Sequence, residues 1–136
     1  MEKITISAIV QADIRKAWDY YTQPEHITGW NFASDDWHCP RATNDMRVGG
    51  QYCGRMEAKD GSFGFDFVAV YTAINVNENF TYVGPEGRVI DVFFKTLGND
   101  TEVVIQFDPE TINPIELQRN GWQAILNNFK KYTETH

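Results

Sequence analysis

The stretch Asn113 to Tyr132, NPIELQRNGWQAILNNFKKY, decides the fold, because it is the one long amphipathic segment in a chain that otherwise reads as sheet. Asn113 is a good N-cap, Pro114 suits the first helical position, and Glu116 stands where its charge complements the helix dipole. At about 100° per residue, Ile115, Leu117, Trp122, Ile125, Leu126, Phe129 and Tyr132 share one broad arc. Glu116, Arg119, Asn120, Gln123, Asn127, Lys130 and Lys131 occupy the other. The spacing predicts a helix of roughly 28 Å with one buried face, long enough to cross a small sheet. Two residues interrupt that face. Gly121 costs about 1 kcal/mol relative to Ala in a helix interior, which suggests a close approach to its backbone. Gln118 projects into the apolar arc, where its amide either bonds to backbone or lines a cavity.

Outward from the helix, the segment before it is β-rich. Ile4 to Val10 alternates as a half-buried strand, Asp13 caps a helix carrying Ile14, Ala17, Trp18 and Tyr21, and Pro24 opens a second short helix through Ile27 toward Trp30. Asn31 to Pro40 has no periodicity and reads as a loop. Gly49-Gly50, Asp60-Gly61, Gly84-Pro85-Glu86-Gly87 and Gly98-Asn99-Asp100 are turn signals. Between them the pattern predicts strands at Arg41–Asp45, Gln51–Ala58, Phe63–Ile74, Phe80–Val83, Arg88–Thr96 and Thr101–Phe107, paired as an antiparallel meander. Phe63, Phe65, Phe67, Ala69 and Tyr71 share one face, as do Thr101, Val103, Ile105 and Phe107. The fold class is α+β: a curved antiparallel sheet of six or seven strands around the C-terminal helix, with two short helices after the first strand. Gly54 and Gly64 are the expected bend points.

The 136 residues fit one domain, 1–136, with a core of its own. Nineteen acidic against twelve basic residues give a net charge of −7, with the basic ones scattered, so nucleic acid and anionic membranes are poor partners. The first residues lack the pattern of a signal peptide, which places the protein in the cytoplasm with Cys39 and Cys53 as free thiols. His38 and Cys39 are adjacent metal-ligand types without a second cluster, so no metal is expected, and no cofactor-binding or common catalytic signature appears.

The opening strand, Pro24-Glu25-His26-Ile27 ending in Trp30, Arg47-Val48-Gly49-Gly50, Asp60-Gly61, and Gly121-Trp122 with Ile125-Leu126 and Phe129 resemble the domain related to the C-terminal part of the activator of the Hsp90 ATPase. That family belongs to the START-like, or SRPBCC, superfamily, and the likeness extends over essentially the whole chain. It implies a helix-grip fold with a cavity between sheet and long helix. Superfamily members bind lipids, steroids, polyketides or other apolar molecules, and a few catalyse cyclisation or hydrolysis.

Three functions follow for comparison. The first is binding of a small hydrophobic or aromatic ligand, with Phe65, Phe67, Tyr71, Tyr82, Phe94, Gln118, Gly121, Trp122 and Ile125 lining the cavity and Trp30, Trp37 and His38 at its mouth. The second is an enzyme of polyketide cyclase or hydrolase type, using His38, Tyr82 or Asp91 to move a proton. The third is a chaperone-associated protein that binds through its surface. A monomer or weak homodimer suits all three. Arg88 and Asp91, three apart on one strand, fall on opposite sheet faces. His26 reads as a surface residue. Convergent polar groups in the cavity would favour the enzyme, a purely apolar cavity the carrier, and a filled core with an exposed apolar patch the interaction protein.

Overall fold

The computed structural model describes residues 2–136. The strands are β1 (Ile4–Val10), β2 (Trp37–His38), β3 (Ala42–Asn44), β4 (Gln51–Ala58), β5 (Gly64–Asn75), β6 (Asn79–Val83), β7 (Val89–Leu97) and β8 (Asp100–Phe107). The α-helices are α1 (Ile14–Thr22), α2 (Pro24–Ile27) and α3 (Ile115–Thr135). All strand pairs are antiparallel, in the order β1-β8-β7-β6-β5-β4-β2, and β3 shares the outer edge of β4 with β2, so the sheet is seven strands wide. The segment expected to be loop contributes β2, because Trp37 and His38 pair with Ala58 and Glu57 at the far end of β4.

Strand alternation places Ile90, Val92 and Phe94 of β7 and Thr101, Val103, Ile105 and Phe107 of β8 on the buried concave face. On β5 the register slips between Tyr71 and Ala73, so Tyr71 and Ile74 both pair with inward residues, Tyr82 and Phe80. This bulge at Thr72 is a bend beyond the two glycines singled out from sequence. Asp13 caps α1 through Lys16 N–H at 2.9 Å, as its sequence position implies.

The start of α3 differs from the expectation. Pro114, not Asn113, is the N-cap, and it supplies no side-chain bond. Asn113 is engaged elsewhere: its N–H donates to Glu110 Oε1 at 2.6 Å and its carbonyl accepts from Gln118 Nε2 at 2.8 Å. The first turn overhangs the sheet, which leaves Ile115 40 % and Leu117 59 % exposed rather than buried. The buried face comprises Gln118, Leu126, Phe129 and Thr133.

Polar side chains pin α3 along the free edge of β1. Gln123 Nε2 donates to the Ser7 carbonyl at 3.1 Å and Lys130 Nζ to the Ile9 carbonyl at 2.7 Å, while Glu134 accepts from Gln11 N–H at 2.8 Å. These bonds cover an edge that would otherwise invite another strand. They also fix the helix to one side of a curling sheet, so that β4, β5 and β6 stand away from it. Aromatic rings close one end of the space: Tyr21, Trp30 and Phe129 meet with centroids 4.9 to 5.1 Å apart.

Asp108 secures the start of β7. Its Oδ2 accepts from Val89 N–H at 2.9 Å and its Oδ1 pairs with Lys3 at 3.0 Å, and these bonds, the backbone one foremost, hold its carboxyl below the ordinary value. A depressed folded pKa means stabilisation that is complete above the ordinary carboxylate range and lost as pH falls through the folded value. Asp108→Asn is therefore expected to lower the urea midpoint at pH 7, with the gap from wild type narrowing progressively in acid. A gap independent of pH would show that the charge contributes nothing.

Candidate ligand cavity

Between the concave face and α3 lies a cavity of about 230 Å³. Its sheet wall is Tyr52 and Met56 of β4, Phe65, Phe67 and Tyr71 of β5, Phe80 and Tyr82 of β6, and Ile105 of β8, while α3 contributes Trp122, Ile125 and Leu126. Tyr21, Trp30, Asn31 and Arg88 complete it. An outer groove of about 330 Å³, bounded by Ala33, Ser34, Trp37, Leu117, Gln118 and Gly121, adjoins it, and Met56, Phe65, Trp122 and Ile125 line both spaces. Trp122 is held over the sheet by stacking on Phe107, centroids 4.1 Å apart.

The inner wall carries four phenols. Tyr71 donates to Asn44 Oδ1 at 2.7 Å, and Tyr52 accepts from Asn31 Nδ2 at 3.1 Å. Gly54 makes the second bond possible, because a Cβ there would lie 2.9 Å from Tyr52 Oη and 3.0 Å from Asn31 Nδ2. Burial pushes Tyr21, Tyr52, Tyr71 and Tyr82 upward, and for Tyr82 the neighbouring Tyr21, Tyr52 and Tyr71 add to the effect. All four therefore stay protonated near neutral pH, as neutral hydroxyls able to donate.

Several residues named from sequence sit elsewhere. His38 faces the outer side of the sheet edge, 3.7 Å from Glu57, within a group that includes Arg41, Arg55 and Asp66. Asp91 is also on the outer face and accepts from Thr81 Oγ1 at 2.5 Å, whereas Arg88, of opposite parity, is on the cavity side. Neither His38 nor Asp91 touches the cavity. Phe94 is core: it packs on Trp18 at 5.1 Å and Tyr21 at 5.7 Å. Trp30 is buried in the inner wall rather than at the mouth, with its indole N–H donated to the Tyr20 carbonyl at 3.0 Å. Trp37 borders the outer groove beside Phe63 and Phe65.

Gln118 borders the groove, but its amide is spent on the chain, donating to the Glu110 and Asn113 carbonyls and accepting from Glu110 N–H. No strand or ring approaches Gly121, since no protein atom lies within 4 Å of where its Cβ would be. His26 is half-buried, not a surface residue: it stacks on Tyr20 at 3.9 Å and lies 3.0 Å from Tyr132 Oη. Cys39 and Cys53 are free thiols, and among the described residues no three His, Cys, Asp or Glu side chains gather as a metal site.

Sequence reasoning missed Tyr21, Asn31, Tyr52, Met56, Phe80, Arg88, Ile105 and Leu126 as wall residues. Alternation along β4 (Tyr52, Gly54, Met56) and β6 (Phe80, Tyr82) carried the signal for three of them. Asn31 had none, because its place depends on how the segment after α2 crosses the helix.

A curled antiparallel sheet that holds one long helix over an aromatic-walled cavity defines a helix-grip protein of START-like type. The chain belongs to the family described as Activator of Hsp90 ATPase homolog 1-like protein, which it matches over residues 11–134. It resembles an AHSA1-like protein of Aeromonas hydrophila at 41 % identity, over 98 % of this chain and 92 % of that one, with a TM-score of 0.92. A protein of Cytophaga hutchinsonii is 47 % identical over the same shares, with a TM-score of 0.84. A Chromobacterium violaceum protein at 18 % identity, covering 98 % of this chain and 99 % of that one with a TM-score of 0.87, shares the fold. No curated protein matches the sequence. Among the described residues no helix is long and apolar enough to cross a membrane.

Proposed function

We propose that this protein is a cytoplasmic, single-domain binding protein for a small hydrophobic or aromatic molecule, held between the sheet and α3. The observation that carries this reading is the aromatic-walled cavity over which α3 is fixed by its own bonds to β1. Native interiors are packed to crystal density, so a space of this size between sheet and helix is a feature that a ligand explains.

The enzyme reading is the weaker one. Polar groups do converge in the cavity, but they are phenols pushed up by burial, an amide and a guanidinium, none of which takes up a proton near neutral pH. Of the three proton carriers weighed from sequence, His38 and Asp91 lie outside it, and Tyr82, which lines it, is one of the phenols that burial keeps protonated. A chaperone-type role draws on family membership and on the exposed Ile112, Ile115 and Leu117, but it gives the cavity no purpose.

Titration with the neutral fluorophore N-phenyl-naphthylamine is expected to show saturable binding, and native mass spectrometry of freshly purified protein to show a co-purifying small molecule. Absence of both would overturn the reading. Gly121→Leu gives an independent check. Because open space surrounds Gly121 at the groove, the variant should gain roughly 1 kcal/mol in helix stability while blocking the approach and weakening probe binding. Destabilisation, or unchanged binding, would mean that the groove is not the approach.

A further inference from the structure

The polar groups of the cavity are divided between its two ends, and the division bears on what chemistry the occupant carries. Arg88 precedes β7 with the parity of Ile90 and Val92, so its side chain lines the cavity at the end where the 84–88 turn closes β6 onto β7. Among the described residues no carboxylate lies within 4 Å of its guanidinium. Asp108 is engaged with Lys3 and Val89 N–H, and Glu86, two residues before Arg88 in the same turn, is exposed and forms no ion pair with it. A half-buried guanidinium without a counter-charge, beside an apolar wall, is a planar fork suited to a carboxylate. The net charge of −7 does not draw anions to the protein as a whole, so any such preference is local to Arg88.

At the inner end the hydroxyls of Tyr52 and Tyr71 are satisfied by Asn31 and Asn44. Those of Tyr21 and Tyr82 make no hydrogen bond within the described residues, although both rings line the cavity. Among the described residues only Thr133 holds a sealed side-chain polar atom without a partner, so these two hydroxyls open onto the cavity space rather than being shut in the core. A polar group placed against them replaces hydrogen bonds that the apolar surroundings do not supply.

The span between the two ends is short. Tyr82 stands opposite Ile90, one inward step from Arg88, which is about 7 Å along the strand, and Tyr21 extends the polar end from the α1 side. The volume of about 230 Å³ is below the usual range for drug-sized ligands, and its walls include the flat faces of Phe67, Phe80 and Trp122. Resting on the binding function proposed above, we infer that the occupant is a small aromatic carboxylic acid with a hydroxyl or carbonyl at its far end. Arg88 takes the carboxylate, and Tyr21 and Tyr82 take the far oxygen.

Calorimetry at pH 7 with hydroxynaphthoate, naphthoate and methyl hydroxynaphthoate tests this, with neutral N-phenyl-naphthylamine as the control for the cavity. In wild type, hydroxynaphthoate is expected to bind at least tenfold more tightly than its methyl ester. Arg88→Gln should remove that difference, Arg88→Lys should restore only part of it, and Tyr82→Phe should bring hydroxynaphthoate down to the level of naphthoate. Retained N-phenyl-naphthylamine binding shows that each variant is folded, and the wild-type comparison of acid with ester needs no variant. If the neutral probe binds but acid and ester are alike, or Arg88→Gln changes neither, the aromatic-acid inference is overturned while the cavity function stands. If no compound binds, the neutral probe included, both fall together.

Discussion

Phe129→Ala is expected to cost about 3 to 5 kcal/mol of unfolding free energy, the range for deleting a fully buried ring. Phe129 is 0 % exposed and its ring meets both Tyr21 and Trp30, so truncation leaves a hole where α3, α1 and the segment after α2 close the end of the cavity. Trp122 shares the apolar arc of α3 with Phe129, so periodicity alone gives the two equal weight. The structure separates the two. Trp122 is half-buried, touches the core mainly through its stack on Phe107, and borders space that is already open. Trp122→Ala should therefore cost only about 2 kcal/mol, while weakening N-phenyl-naphthylamine binding by removing a wall. Urea titration of both variants measures this at unchanged m-value. Equal losses would mean that Trp122 belongs to the core.

The features legible in the sequence were those set by local periodicity. Alternation on β1, β7 and β8, the cap at Asp13 and the apolar arc of α3 each follow from a repeat of two or 3.6 residues, and they appear where that repeat places them. What failed depended on how far one element runs past another. The apolar arc correctly placed Leu126 and Phe129, but Ile115 and Leu117, on the same arc, overhang the sheet because α3 is longer than the surface it covers. The site suffered from the same limit. Phe65, Phe67, Tyr71, Tyr82, Trp122 and Ile125 were found because aromatic or apolar side chains on a concave face must line whatever space exists there. Parity alone cannot tell that Phe94 fills core while Tyr82, on the neighbouring strand, faces the cavity. Arg88 shows the converse: the three-residue spacing from Asp91 put the two on opposite faces, but their faces follow from the pairing of β7 with β6.

The Gly49-Gly50 turn carries a steric demand that its turn signal understates. Gly49 has φ +86°, a conformation that favours glycine, yet a Cβ there would meet nothing within 4 Å. Gly50 is the reverse case: a Cβ there would collide with the backbone carbonyl of Asp45 and lie 2.9 Å from that of Arg47. Both carbonyls are held, since that of Arg47 accepts from Gly50 N–H at 2.8 Å and that of Asp45 accepts from Arg47 N–H at 2.9 Å. The same turn brackets Tyr71, whose carbonyl accepts from Gly49 N–H and whose N–H donates to the Gly50 carbonyl. Gly50→Ala is accordingly expected to cost about 3 kcal/mol, at the top of the overpacking range, and to weaken probe binding by shifting the Tyr71 ring in the cavity wall. Gly49→Ala should cost only about 1 to 2 kcal/mol from backbone strain, and Gly49→Asn less, because Asn tolerates positive φ. Thermal unfolding of the three variants ranks them, and a Gly50→Ala variant within about 0.5 kcal/mol of wild type would show that the turn relaxes without moving Tyr71.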